Sequence, residues 1–505
     1  MVINAERYAN WKAPSQDGAV LVWPPADQLI QQTHSNTKTL AELESVWVQN
    51  VPVAHWRKSI RQWLGHPNEV PLIATGHQSE LYHPGVWVKD AVINAIAARA
   101  NGHAYHFAVD TDQPKHLQIK WPGSTLSVTD DPALPTAEWS GLLASPSPAH
   151  VQAIESALTT ASSNWNFKPM LGEVLASLRR SAMEEAGLSA AITNAQHELD
   201  WQLGLRHHAM LVSPMLNSAT YLAFVYHVLS HAGQFAADYN ASLAEYRVEA
   251  GIKSVMRPMP DLRVGSDTIE VPFWLDDLEP GTRKRADVHI EGDHISLVVD
   301  KAKFLLDPAT PGEKAAESLA AWLRDHHLRL SPRALTLTTF LRLLVVDQFV
   351  HGIGGGRYDQ VTDRLLARHF GIDPPTFAVA TGTLFFPGAI GRPRVCLPCL
   401  LQEGHRLKHA VLGDRKRELL AEINALPRRS VPRSLAFHAL HGAMSAAANN
   451  HAGLREFEAR YDRSVLQARE ETVLFDRELF YAMQSKERLL GMIERVNQEV
   501  HRSDS

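Results

Sequence analysis

Three stretches of this chain carry residue types that could hold and activate a small ligand. The first is Thr75-Gly76-His77-Gln78, followed by His83-Pro84-Gly85 and by Lys89. Glycine lets backbone approach a ligand, and proline at a first helical position sacrifices no hydrogen bond. An imidazole and an ammonium beside the free N–H groups of a helix start favour a phosphate or a carboxylate. The second stretch is Asp110-Thr111-Asp112-Gln113. Its carboxylates could hold a ribose hydroxyl, an amine or Mg²⁺. The third is His351–Asp359, HGIGGGRYD, where Gly354, Gly355 and Gly356 precede Arg357, Tyr358 and Asp359. It reads as a loop wrapped around a ligand, with Arg357 offering a two-pronged contact to a carboxylate or phosphate. It does not follow the dinucleotide pattern GxGxxG after a strand. The competing readings are an ordinary polar turn, an Asp-rich turn and a helix-ending linker. Cys396-Leu397-Pro398-Cys399 is half of a zinc site or a redox pair. His405 could be a third ligand, but no fourth is in view, so two reduced, partly buried thiols are expected.

These residues need elements to position them. Pro71–Ala74 reads as a buried strand, Val86–Arg99 as an apolar helix and His103–Val109 as a second strand. Strand, helix, strand over about 40 residues is a βαβ unit with a parallel pair. That places the first two stretches at one carboxyl edge, where open α/β sheets bind their ligands. Residues 1–35 read as an irregular leader, 37–65 as a helix and 122–165 as loop-rich. Helices are expected at 150–160, 168–186, 191–203 and 220–250, with a core strand near 209–212. Ile269–Leu275 and Ala286–Val299 have strand composition, with a hairpin turn at Glu291-Gly292-Asp293. Leu337–Val350 reads as a helix, 359–370 as another and Phe377–Thr381 as a strand; Pro387–Pro398 is a linker. Helices follow at about 405–426 and 432–449. From Leu454 to Val496 apolar residues step by three and four over roughly six heptads, which predicts one helix on the order of 65 Å long. Such a seam is expected to pack as a coiled coil within the chain or to pair with a second copy as a homodimer.

Composition bounds the rest. The chain has 505 residues, 45% hydrophobic and 21% charged, an ordinary globular profile. A net charge of −5 gives no case for nucleic acid. No apolar run approaches the ~20 residues of a membrane helix, and the N-terminus has no signal-peptide core. Two cysteines are no disulfide scaffold, so a cytoplasmic location is expected. With 26 histidines, no single one stands out by type.

The order of motifs resembles the BshC family, the cysteine-adding enzymes of bacillithiol biosynthesis. Thr75-Gly76-His77-Gln78 resembles that family's Thr-Gly-Gln-Gln turn, with His77 in place of a glutamine. His106–Gln113 resembles its strand ending in an acidic cluster, here rewritten as Asp110-Thr111-Asp112-Gln113. Ser331-Pro332-Arg333-Ala334-Leu335-Thr336 resembles its Ser-Pro-Asn-Val-Leu-Thr segment, and Gly354–Gly356 falls where it has a glycine-rich loop. More broadly, Thr75-Gly76 with His83-Pro84-Gly85 resembles a degraded HIGH signature of class I synthetases and nucleotidyltransferases. No lysine-rich second signature is present, and residues 331–395 contain no lysine.

The resemblance implies an α/β fold: a Rossmann-like parallel-sheet core with an inserted α+β subdomain and a long C-terminal helical coiled coil. The core is expected at 1–130 and 326–400, the insertion at 131–325 and the helical region at 401–505. The implied activity is that of a ligase joining a small amine or amino acid, such as cysteine, to a small-molecule acceptor. The implied cofactor is ATP with Mg²⁺. His77, His83, Asp110 and Asp112 would be catalytic. Thr75, Gly76, Gln78, Gly85, Lys89, Gln113, Ser331, Arg333, Thr336 and Gly354–Asp359 would bind nucleotide or substrate. The alternatives are a nucleotidyltransferase releasing pyrophosphate, and a nucleotide-binding scaffold acting through its coiled coil.

Overall fold

A computed structural model describes residues 11–66, 70–184, 186–389 and 394–501. The chain is mixed α/β and divides into two compact units. The first comprises Met1–Ile119, Thr125–Leu384 and Arg477–Ser505; the second comprises Lys120–Ser124 and Phe385–Asp476.

The first unit is built on a six-stranded sheet. In chain order its strands are β1 (Val20–Trp23), β2 (Leu72–Gln78), β3 (His103–Val109) and β4 (His208–Leu211). Five strands of a second sheet follow: β5 (Thr268–Asp277), β6 (Thr282–Glu291), β7 (His294–Val299), β8 (Ala302–Leu306) and β9 (Leu328–Pro332). The chain then returns to the first sheet with β10 (Gln348–His351) and β11 (Ala378–Gly382). The order across the first sheet is β1-β11-β10-β2-β3-β4. All its neighbours are parallel except β1, which runs antiparallel to β11. From β2 the chain moves outward through β3 and β4, then restarts on the other side of β2 with β10 and β11. The winding direction therefore reverses between β2 and β10. That is where the carboxyl ends of an open parallel sheet leave a crevice.

The expected βαβ unit is present. Helix α2 (Pro84–Ala100) joins β2 to β3, with Leu72 opposite His103 and Gln78 opposite Val109. The helix is buried nearly all round, as its unbroken apolar run requires. The strand is longer than its apolar core: Thr75, Gly76, His77 and Gln78 lie on β2, not in the turn after it.

β10 contradicts the expected helix over 337–350. Helix α4 (Ala334–Phe340) continues as a wider turn to Val345, and Val346 is extended. Asp347 causes the change. Its carboxylate accepts from Arg57 and Arg61 of helix α1 (Val53–Trp63) at 2.6 Å each, and from the Leu72 amide at 2.8 Å. All three side chains are buried. The start of β10 is thus pinned to the start of β2, and Phe349 and Val350 pair with Ala74 and Thr75.

Other boundaries also moved. The leader contains strand β1, and the helix expected over 37–65 is two helices, Ala26–Ala41 and α1. The helix expected at 150–160 is present and slightly longer, Pro148–Ser162. The helix expected over 220–250 breaks at His231 into Ala219–Ser230 and Ala232–Glu249. The helix expected over 191–203 is α3 (Leu188–Gln202). The β-rich segment is an antiparallel sheet in the order β8-β7-β6-β5-β9, and Glu291 pairs with His294 across the expected hairpin.

The C-terminal seam is not one helix. In the second unit, α6 (Leu397–Ala410) packs on α9 (Ala452–Leu474), and α7 (Asp414–Ala425) on α8 (Val431–Asn450). Gly404 gives α6 its close approach, since a Cβ there would lie 2.6 Å from Phe457. The chain leaves helical geometry after Leu474 and re-enters it in α10 (Lys486–His501), which belongs to the first unit. Tyr481 explains the break. It stacks on Trp87 at 5.0 Å, and its amide donates to the Tyr82 carbonyl. A continuous helix could not bury it there. In α10, Leu489, Met492, Val496 and Val500 form the buried stripe, against α2 and β1. Among the described residues no helix is long and apolar enough to cross a membrane.

Asp347→Ala would leave two buried guanidinium groups uncompensated. It is expected to cost about 3–5 kcal/mol in urea unfolding. A loss below about 1 kcal/mol would contradict this role.

Candidate functional site

A cavity of about 140 Å³ lies at the reversal point between β2 and β10. Gly76 and His77 of β2 line it, with Phe107, Val109 and Asp112 at the end of β3 and Phe349 and His351 of β10. Pro332, Ala334, Leu337, Thr338 and Leu341 cover it. A single water needs only ~10–15 Å³ by the same measure, so the space admits several waters or a small organic fragment.

Two imidazoles in this lining are each backed by a buried carboxylate. His77 Nδ1 lies 3.1 Å from Glu80 Oε1. The contact is at ion-pair distance but too bent for a full hydrogen bond, so His77 Nδ1, like Glu80 Oε2 and Ser79 Oγ, has no hydrogen-bond partner. Catalytic hydrogen bonds are often loose before substrate binds. His351 Nε2 lies 2.9 Å from Asp359 Oδ2, and Arg342 holds the same oxygen. A carboxylate only accepts, so the ring nitrogen facing it carries the proton. That leaves His77 Nε2 and His351 Nδ1 as the second nitrogens, and neither makes a hydrogen bond within the protein.

The electrostatics follow from burial. Burial lowers the pKa of His77 below the ordinary imidazole value; Glu80 partly offsets this, and Lys89 reinforces it. Its neutral form is therefore favoured at neutral pH. Burial also disfavours the charge of Asp359, but Arg342 and His351 outweigh it and hold that carboxyl far below the usual range. Asp363, also on Arg342, is raised by burial to about 6. Behind His77, Tyr82 Oη lies 2.9 Å from His106 Nε2, and His106 Nδ1 lies 2.6 Å from Asp90.

The three glycines are the first turns of helix α5 (Ile353–Phe370), capped by Gly352, and not a loop. Packing accounts for Gly356, whose Cβ would press on Val379 at 2.5 Å. Gly355 has a different role. A Cβ there would sit 3.0 Å from His351 Nδ1 and cover the nitrogen that the dyad leaves open. The amides of Ile353, Gly354 and Gly355 precede the first intrahelical bond, made by Gly356, and start two residues after His351.

Several residues picked out by the sequence are committed elsewhere. Asp110 accepts from the amide and hydroxyl of Ser213, so it fixes the segment after β4 rather than a ligand. His83 is the N-cap of α2 and accepts from Gly85 N at 3.0 Å. Lys89 Nζ donates to the Gly76 carbonyl at 2.9 Å, and burial lowers its pKa to about 8. Thr75 bonds the Val350 carbonyl, tying β2 to β10. Gly85 permits contact with Gly382. Gln78 donates to Asp112 at 2.7 Å, and Gln113 is exposed. Ser331 bonds Asp276, Thr336 is fully buried, and Arg333 pairs with Glu270. Arg357 holds the Trp11 carbonyl at 2.6 Å, and Tyr358 is exposed beside 252–258. The structure thus brings Gly76, His77 and Asp112 to the cavity.

Sequence reasoning missed Glu80, Arg342 and His351 as site residues. His351 opens the HGIGGGRYD stretch, but reading β10 as helix hid its place at a sheet edge. Cys396 and Cys399 are exposed and joined by a disulfide, where reduced, partly buried thiols were expected. Among the described residues, no group of three or more His, Cys, Asp or Glu is arranged to hold a metal ion. No protein-family model matches the chain, and no curated protein matches it.

His83 gives a pH test. Burial, with Arg477, His77, His116 and Lys89 nearby, lowers its pKa to about 3. Below pH 6.5 the unfolded chain takes up a proton here that the folded chain refuses until about pH 3. Stability therefore falls as pH falls through that window. His83→Asn replaces the capping ring nitrogen with an amide oxygen that can accept the same bond, and it cannot titrate. Urea unfolding across pH 4–7 is expected to show a shallower acid loss, by up to one proton in slope. An unchanged slope would contradict the assignment.

Proposed function

We propose that this chain is a ligase-like enzyme that joins a small amine or amino acid to a small-molecule acceptor, on a Rossmann-like core similar to that of the BshC family. The observation that carries the reading is the pair of carboxylate-backed imidazoles, His77 and His351, lining one cavity from two adjacent parallel strands. Condensation needs a base for the incoming amine and an acid for the departing group. One imidazole takes a proton from the amine as its nitrogen attacks the acceptor carbon. The new C–N bond forms, the bond to the leaving group breaks, and the imidazolium formed in the first step returns its proton to the leaving group, while the second imidazole accepts a hydrogen bond from the remaining N–H of the amine. The amides at the start of α5 are suited to negative charge developing on the acceptor oxygen. Asp112, on the β3 side of the cavity, is available to orient an ammonium group.

ATP phosphates do not fit at the start of α2 as a HIGH-type signature would require. His83 and Lys89, the groups that would meet them, are already bonded to Gly85 N and Gly76 O. The reaction is therefore written with an acceptor that already carries its leaving group.

The test is product formation. Purified protein is incubated with an amino-acid panel and a small-molecule extract, with and without added ATP, and conjugates are sought by mass spectrometry. A conjugate is expected, and His77→Ala and His351→Ala should each reduce its formation by about 10²-fold or more. Absence of any amine-dependent conjugate, or full activity in both variants, would overturn the reading.

A further inference from the structure

The polar face of the second sheet carries a feature that the cavity chemistry does not use. Side chains alternate faces along a strand. On β5, Glu270, Trp274 and Asp276 share one face. Arg285 pairs in register with Trp274, and Arg283 and Arg329 pair with Asp276. Trp139, from the segment before the helix at Pro148–Ser162, completes a ladder. Arg329 lies over the Trp139 ring at 5.2 Å and Arg283 at 5.1 Å. Arg283 also lies over Trp274 at 5.6 Å, and Arg333 over Trp274 at 4.6 Å. Guanidinium and indole thus alternate from Arg329 to Arg333.

The charges in this ladder do not balance. Asp276 accepts from Arg283 at 2.6 Å and from Arg329 at 2.9 Å. Glu270 accepts from Arg263, Arg285 and Arg333. Asp287 is 3.9 Å from Arg263. Five guanidinium groups therefore face three carboxylates. The donors do not balance either. Arg333 uses one terminal nitrogen on Glu270, while its Nε and Nη2 are buried without an acceptor. Those two form the side-on edge of a guanidinium, whose parallel N–H bonds match two oxygens of a carboxylate or phosphate. Arg283 Nη2 is likewise buried without a partner, on a side chain only 6% exposed. Thr336 Oγ1, three residues after Arg333, is a fourth buried polar atom without a partner. Burying a charged donor without an acceptor is unfavourable, and native proteins rarely do it without reason.

The ladder abuts the cavity at both ends of its framework. Pro332 and Ala334, flanking Arg333, line the cavity. The Trp139 segment is pinned to the end of β3, since Ser140 and Gly141 amides donate to the Asp112 and Asp110 carbonyls.

We propose that this arginine–tryptophan ladder is an oxyanion-binding subsite, with Arg333 and Arg283 supplying the free donors to a phosphate or carboxylate group of a ligand. The inference stands independently of the reaction read for the cavity.

Calorimetric titration of the whole chain with inorganic phosphate and, separately, with succinate tests it and distinguishes the two oxyanions. At least one probe is expected to bind saturably. Arg333→Lys keeps the charge and loses the side-on edge, so it should weaken binding at least tenfold, and Arg283→Lys should weaken it too. Lys303→Ala, on β8 and paired with Glu291, should bind like the unaltered chain. If neither probe binds saturably, or both arginine variants bind undiminished, the subsite does not exist. Should the variants fail to fold, arginine Nε–H resonances of the unaltered protein decide. Addition of the bound probe should shift at least one of them, and no shift would overturn the proposal.

Discussion

A single buried carboxylate sets the geometry on which the site depends. Asp347 joins two arginines of α1 to the first residue of β2 and sits immediately before β10. Asn36 adds to the same joint, donating to the Asp347 and Thr376 carbonyls at 2.8 Å each. Ions in a low-dielectric interior persist only when their partners are fixed on every side. The start of β10 is therefore held level with the start of β2, and Val350 comes to lie opposite Thr75, one residue before His351 and two before His77. His351 and His77 reach the same crevice for that reason. Pinning two strand starts has placed two side chains at the far edge of the sheet.

The remaining features adapt to that crevice. Gly355 leaves His351 Nδ1 uncovered, and Arg342 keeps Asp359 charged at the other ring nitrogen. Glu80 stands behind His77 with one oxygen unused. Packing alone would favour a closed network here, with every buried atom satisfied. The orphaned atoms beside the cavity and along the arginine ladder are the departures from that rule, and such departures are where a fold meets its ligands.

Much of the scaffold was legible in the sequence because it was encoded locally. The βαβ unit, the hairpin at Glu291–Asp293 and the carboxyl-edge position of Asp112 all follow from periodicity and turn chemistry. The errors share a cause. LRLLVVDQFVH is a short apolar run, and periodicity cannot tell a buried strand from a buried helix; a remote ion pair decides it. The glycine run reads as loop by propensity, yet α5 tolerates it because Gly356 must pack against Val379. The C-terminal heptads are regular, but Tyr481 has a better place on Trp87 than on a helix face. His83 and Lys89 were correctly placed at the start of α2, but their partners there are backbone groups, which no sequence pattern specifies.

The central claim is that carboxylates orient both cavity imidazoles and leave the opposite nitrogen to the ligand. Long-range proton–nitrogen spectra of histidine-labelled protein, assigned with His77 and His351 variants, read this directly. The proton should reside on Nδ1 of His77, toward Glu80, and on Nε2 of His351, toward Asp359. A neutral ring at either position protonated only on the opposite nitrogen would contradict the account.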